Sequence, residues 1–165
     1  MVQKRTINPE EIDFKEKFNL ANKWIIITGA CGLIGRAFCE AVCQFGGNVI
    51  VADIEEAKPE SFAKELSNRF NRVMMGIPLD VSSKKSVLNL KFEALKVVEK
   101  IHGLVNAHQN KSHLVFEQFE DVTEENWDKV VEVNLKGTFL TCQIIGSHMA
   151  SNGGGSIVNL PSTYS

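Results

Sequence analysis

Three glycines, at 29, 32 and 35 in the stretch TGACGLIG, follow directly on the apolar run WIIIT (24–28). A glycine-rich junction between a strand and a helix leaves backbone amides bare. The unpaired N–H groups and dipole of the helix N-terminus then favour a phosphate. In this reading Gly29 makes the turn, Gly32 admits a diphosphate and Gly35 lets the helix lie close on the sheet. An acid stands where the next apolar stretch ends: Asp53 closes NVIVAD, 24 residues after Gly29. Its carboxylate suits the hydroxyls of an adenosine ribose and repels a 2′-phosphate. Two unit charges about 4 Å apart, at an effective dielectric near 20, repel by about 4 kcal/mol before screening. No arginine or lysine follows at once in DIEEAK, so NAD is favoured over NADP. The rival readings are a packing turn for the glycines, whose G-x-x-G-x-x-G spacing differs from the commonest fingerprint, and a plain strand-end cap for Asp53.

The elements needed to hold these residues are legible in the apolar pattern. WIIIT is short and continuously apolar, as in a strand buried on both faces. LIGRAFCEAVCQFGG carries Ile34, Phe38, Val42 and Phe45 at helical spacing, and Gly46-Gly47 supplies a stop. NVIVAD (48–53) is the second strand. PESFAKELSNRF opens on a proline suited to a first turn and repeats Phe62, Leu66 and Phe70. RVMMGIPLD holds a third strand ended by Pro78. Ser82 or Ser83 caps a helix expected to run through Lys100, with Leu88, Phe92, Leu95 and Val98 as its stripe. IHGLVNA is the fourth strand, HQNKSHLVFEQFED a loop, and Thr123 the cap of a helix reaching residue 150. SNGGG is a turn and SIVNLP the fifth strand. This alternation predicts an α/β fold with an open, doubly wound parallel sheet. Residues 1–22 read as a polar lead-in with a short helix near Glu10–Phe18, and 23–165 as the nucleotide-binding domain.

Composition sets bounds on partners. The chain has 165 residues, 44% apolar and 23% charged, with a net charge of −2. That suits one globular domain and supplies no electrostatic reason to expect nucleic acid or an acidic membrane surface. The first twenty residues mix both charges and lack a signal-peptide core, so the expected address is the cytosol. Cys39 and Cys43, four apart on one helix face, read as small core residues in a reducing compartment. No third and fourth ligand stand at fixed spacing to make them a metal site. His108 and His113, two histidines on one loop, do not make one either.

From Lys23 to Ser165 the chain resembles the short-chain dehydrogenases/reductases. TGACGLIG is similar to the family's TGxxGxxG turn, LDVS (79–82) to the segment beside the adenine, and IHGLVNAHQ to the stretch usually written IDxLVNNAG. VNLKGTF (133–139) resembles the segment of the active-site asparagine, and GGSIVNLPS (154–162) the fifth strand with its catalytic serine. The resemblance implies a Rossmann fold ending after its fifth strand. It implies cofactor positions at Thr28, Gly29, Cys31, Gly32, Leu33, Ile34 and Gly35. Others follow at Asp53 and Ile54, Asp80 and Val81, and Asn106 and Ala107. Ser162 and Asn134 take the catalytic positions. Family members pair subunits through helices matching 83–100 and 122–150, which implies a homo-oligomer.

The expected activity is NAD-dependent hydride transfer between a nicotinamide and a hydroxyl or keto group of a small molecule, with sugar derivatives among the candidates. A serine hydroxyl stabilises the reacting oxygen. Asn134 in this family holds a local helix distortion, and Gly137 nearby is compatible with a bulge. The proton is moved by a tyrosine whose pKa a neighbouring lysine lowers, in a Y-x-x-x-K helix beyond the serine. Tyr164 is too close to Ser162 for that place. The chain is therefore expected to be the cofactor half of a longer enzyme, inactive alone, with the apolar fifth strand an uncovered edge. Ala107, His108 and Gln109 also depart from the family, which has Asn, Ala and Gly there. The favoured reading of His108 is a solvated loop residue, and the alternative is a pocket residue. Two other functions remain open at this stage: a non-catalytic NAD-binding protein, and a nucleotide-sugar epimerase or dehydratase.

Overall fold

The computed structural model describes residues 14–110 and 118–160. Five strands form one parallel sheet: β1 (Trp24–Thr28), β2 (Asn48–Asp53), β3 (Met74–Pro78), β4 (Gly103–Asn106) and β5 (Ser156–Asn159). Their order is β3-β2-β1-β4-β5, so the chain steps outward from β1 in one direction and then returns to its other side. The α-helices among the described residues are α1 (Phe14–Lys17), α2 (Leu33–Gln44), α3 (Pro59–Phe70), α4 (Lys84–Leu95), α5 (Glu124–Val130) and α6 (Gly137–Ser151). This is a Rossmann fold, as expected.

Alternation along each strand builds two cores. In register, Ile26 stands between Ile50 and Leu104, and Ile27 between Val51 and Val105. The first set joins Val87 and Leu90 of α4 and Leu140 and Ile144 of α6. The second set meets Cys39 and Val42 of α2 and Phe62 and Leu66 of α3. Because both faces of the central strands are covered, their residues are apolar without interruption. Local chemistry sets the helix starts. Pro59 opens α3, Ser83 Oγ accepts from Ser86 N at 3.3 Å, and Thr123 Oγ1 accepts from Asn126 N at 3.2 Å. Cys39 and Cys43 are buried on the inner side of α2, and both are free thiols.

Two expectations are corrected. Helix α4 ends at Leu95, not Lys100, and turns Val87, Leu90 and Ala94 inward while Leu88 and Phe92 are exposed at 42% and 60%. Two apolar stripes interleave on this helix, and the one with the small Ala94 is the one that lies against the sheet. On α2, Ile34 and Phe45 are exposed, and the buried face is Gly35, Cys39, Val42 and Cys43. Smaller side chains again face inward, where the helix approaches closely. The long helix expected from Thr123 to residue 150 carries a π-helical segment, Val131–Lys136, at the place where Asn134 and Gly137 suggested a bulge. Of the expected lead-in helix only Phe14–Lys17 falls within the described residues.

All four residues of β5 are exposed, including Ile157 and Val158. No described helix is long and apolar enough to cross a membrane.

The orientation of α4 separates two otherwise similar substitutions. Leu90→Ala should cost about 2–5 kcal/mol of unfolding free energy, by lost burial and the cavity left behind. Leu88→Ala should stay within about 0.5 kcal/mol of the parent. Urea denaturation of both variants checks this.

Candidate functional site

The glycine turn closes the C-terminal end of β1. Gly29 sits at φ +63°, and a Cβ there would lie 2.6 Å from His108 Cα and 2.7 Å from its backbone nitrogen. A Cβ at Gly35 would lie 2.1 Å from the Gly29 carbonyl oxygen and 2.7 Å from Ala30 Cα. Gly35 therefore lets α2 close on the turn itself, rather than on the sheet as the spacing suggested. Gly32 is the N-cap of α2. It offers no side-chain cap, and no acid stands in the first turn. The leading N–H groups of α2 are thus left for solvent or an anion.

Asp53, at the end of β2, braces this turn. Cys31 N–H donates to its Oδ2 at 2.8 Å and Ile54 N–H to its Oδ1 at 2.8 Å. Each oxygen keeps accepting capacity beyond those bonds. The nearby Arg36 is engaged elsewhere. Its Nε donates to the Cys31 carbonyl at 2.9 Å and its guanidinium lies 4.0 Å over the Phe62 ring. Asp80 Oδ1 accepts from the Ser82 amide at 2.9 Å and the Ser82 hydroxyl at 2.7 Å.

Three hollows adjoin along this edge of the sheet. An outer one of about 380 Å³ is lined by Ile54, Glu55, Glu56, Pro78, Leu79, Asp80 and Ser86. It shares Ile54, Leu79 and Asp80 with a central cleft of about 310 Å³ that runs past Asp53, Gly29, Gly32, Leu33, Ile34, Gly35 and Val81. The central cleft shares Ile34, Ala107, His108 and Gln109 with an inner one of about 350 Å³, lined also by Asn134, Thr138, Asn159 and Leu160. The trough follows the strand ends from β3 to β5, past the switch between β1 and β4 where open α/β sheets bind ligands.

Most of the expected site residues converge here, and three stand behind it. Thr28 and Asn106 are buried, and Cys31 turns its amide to Asp53; none of these lines the hollows. Asn106 forms a polar knot under the inner cleft. Its Nδ2 donates to Asn159 Oδ1 at 2.8 Å, and the hydroxyls of Thr141 and Thr28 lie 2.9 and 3.3 Å from its Oδ1. Burial, with the Asp53 carboxylate second, pushes the Cys31 thiol up to about 11, so it is no nucleophile near neutral pH. Asn134 lies within the π-helical segment. Its Oδ1 accepts from Asn110 N at 2.7 Å and its Nδ2 donates to Asn110 O at 3.3 Å. Ser162, Tyr164 and His113 lie outside the described residues.

His108 is not the solvated residue favoured from the sequence. Its ring is half-buried, with Nδ1 2.6 Å from Thr28 Oγ1 and Nε2 3.4 Å from Thr138 Oγ1. Burial lowers its pKa, against the opposing pull of the Val133 carbonyl and Asp53. Gln109, noted as a departure from the family, also lines both clefts, whereas sequence reasoning passed over Thr138, Asn159 and Leu160. Thr138 is one helical turn beyond Asn134, Asn159 ends β5 and Leu160 follows it just before Ser162, so spacing from the singled-out residues carried the signal.

A doubly wound sheet with a glycine turn, an acid closing the second strand and a trough along its strand ends defines a Rossmann domain of the nucleotide-binding kind. The family model "short chain dehydrogenase" matches residues 23–165, and the chain belongs to that family. It is 36% identical over 152 residues to an NAD-dependent glycerol dehydrogenase of Listeria innocua, covering 92% of this chain and 57% of that protein. It is 31% identical over 144 residues to a probable galactose dehydrogenase of Rhizobium meliloti, covering 87% and 55%. Among solved structures, a gluconate 5-dehydrogenase from Burkholderia cenocepacia in complex with NADP and tartrate superposes with a TM-score of 0.80. That match has 24% identity over 90% of this chain and 56% of that one, a likeness of fold. The chain thus spans little more than half the length of these relatives.

Three histidines give the fold a pH dependence. His102 Nδ1 accepts from Trp24 N–H at 3.1 Å and must be free of a proton to do so. Burial, with Lys23 and Lys100, lowers the pKa of His102, and burial with Lys91 lowers that of His148. His108 shifts the same way. The folded chain therefore binds fewer protons than the unfolded one below the ordinary histidine value of 6.5. Stability is full above that pH and declines as pH falls through it toward the lower folded values. The thermal midpoint should drop between about pH 7.5 and about pH 5.5. His102→Asn, which keeps an acceptor but does not titrate, should make the drop shallower.

Proposed function

We propose that the protein is an NAD-dependent oxidoreductase that interconverts hydroxyl and keto groups of small, sugar- or polyol-like molecules. The observation that carries this reading is the continuous trough of three hollows, with the bare glycine turn at its centre. Its length suits an extended ligand with a diphosphate in the middle. The space at Gly29 and Gly35 that a Cβ would obstruct, together with the uncapped first turn of α2, fits a dinucleotide. The sugar and polyol substrates named for the glycerol and galactose dehydrogenases support the substrate class.

Each hollow then has a task. The N–H groups opening α2, at Leu33 and Ile34, bind the diphosphate, and Gly32 keeps side chains out of its way. Asp53, already braced by two amides, accepts from the adenosine ribose through its remaining lone pairs. Ile54, Asp80 and Val81 border the adenine. When bound, the nicotinamide supplies hydride transfer to or from carbon. The inner cleft holds the reacting group beside Ala107, with Asn134 fixing its helical wall and Ser162 placed by resemblance at the substrate oxygen. Asn106, Thr28 and Cys31 act from behind, by holding the strand ends and the turn.

The preference for NAD rests on the Asp53 charge. Arg36 directs its Nε to the Cys31 carbonyl and its guanidinium over the Phe62 ring rather than pairing with Asp53. Exposed apolar side chains on α4 and on the α5–α6 helix, among them Leu88, Phe92, Trp127 and Phe139, support self-association through these helices.

Fluorescence titration with NADH and NADPH tests the assignment. The parent should bind NADH the more tightly. Asp53→Asn should shrink the discrimination by about tenfold or more, corresponding to about 1.4 kcal/mol. Unchanged discrimination, or no binding of either nucleotide, would refute the reading.

A further inference from the structure

His108 stands on the wall common to the central and inner clefts, and its ring reaches two elements at once. Nδ1 is 2.6 Å from the Thr28 hydroxyl at the end of β1, and Nε2 is 3.4 Å from the Thr138 hydroxyl on α6. The Thr138 hydroxyl donates to the Asn134 carbonyl at 2.8 Å, so it meets the imidazole as an acceptor. That assigns the ring proton to Nε2. Nδ1 must then accept, and the Thr28 hydroxyl is its donor. Thr28 has one proton and three neighbours, with Asn106 Oδ1 at 3.3 Å and the Val105 carbonyl at 3.5 Å, and the shortest contact takes it.

The helix also brings a carbonyl toward the ring. The Gly137 N–H reaches back five residues to the Glu132 carbonyl. Where such a step gives way to four-residue steps, one carbonyl is left without a backbone donor. The Val133 carbonyl is next in line, and its influence holds the His108 pKa up against burial. Room for the ring comes from Gly137, where a Cβ would lie 3.2 Å from His108 Nε2 and 2.7 Å from Val81 Cγ2. Imidazole, glycine and π-helical segment are thus fitted to one another.

We propose that His108 is a positioning residue, a neutral imidazole clamp that ties the end of β1 to the π-helical segment and thereby sets Asn134 and the wall of the inner cleft. It rests on the oxidoreductase reading for its purpose, because that reading places the reacting group in the inner cleft. The clamp itself stands on the geometry alone.

Two measurements test it. In the first, long-range proton–nitrogen NMR of the ring is recorded on the protein without nucleotide. One protonated Nε2 and one unprotonated Nδ1 are expected, with Thr28→Val shifting the Nδ1 resonance. Averaged signals of two exchanging tautomers, or indifference to Thr28→Val, overturn the clamp. In the second, steady-state kinetics are measured on the protein at its natural length. His108→Ala should lower kcat by about tenfold or more and leave KM for the dinucleotide within about twofold, as expected for misplaced reacting groups. His108→Gln, which keeps a donor toward α6, should recover most of the loss. Parental kcat in His108→Ala, equal losses in the two variants, or a change confined to KM overturns the proposal. The expected ring signals in a protein that binds no dinucleotide uphold the clamp and sink the oxidoreductase reading instead.

Discussion

The site depends on a close approach of backbone to backbone. At Gly29 the chain leaving β1 comes so near to residues 107 and 108 that a single added carbon would collide with both. At Gly35 the first turn of α2 presses on the carbonyl of Gly29 itself. These two contacts bring the end of β1, the start of α2 and the chain leaving β4 into one small volume. A ligand can then meet amides from the helix start, a carboxylate from β2 and side chains from beyond β4. Larger side chains at either glycine would push these segments apart, and the clefts on both sides would change shape together.

Beneath that contact lies a buried polar layer. Asn106 joins β4 to β5 through Asn159, and the Thr141 hydroxyl brings α6 to the same amide, with Thr28 Oγ1 packed 3.3 Å from it and donating to His108. Buried polar groups are costly unless paired, so each of these partners depends on the others staying in place. His108 extends the layer upward from Thr28 to the π-helical segment. The trough floor is therefore held by directional hydrogen bonds, whereas the sheet faces are held by non-directional apolar burial. A hydrogen-bonded floor is the better way to hold reacting groups to a fraction of an ångström.

The strands and the order of elements were legible because the central strands are covered on both faces, and nothing else demands uninterrupted runs such as WIIIT and NVIVAD. Caps were legible at Ser83 and Thr123 because a hydroxyl accepting from an amide three residues on is a local event. The direction of an amphipathic helix was harder. On α4 two apolar stripes share the same spacing, and the choice between Leu88 and Leu90 was made by the surface the helix meets. On α2 the bulky Ile34 reads as core by period, yet it lines the clefts because the helix start projects beyond the sheet.

The amino-acid sequence by itself determined the doubly wound fold, the glycine turn with its acid at Asp53, and the family to which the chain belongs. These are properties of short segments and of their order, and local geometry expresses them directly. Only the tertiary structure decided that Asn106 and Thr28 stand behind the site rather than in it. It alone also turned His108 from a loop residue into part of the wall. Both outcomes depend on residues about eighty positions apart in the chain meeting within hydrogen-bond distance. No local pattern encodes such meetings, because they arise only when the sheet places β1 beside β4.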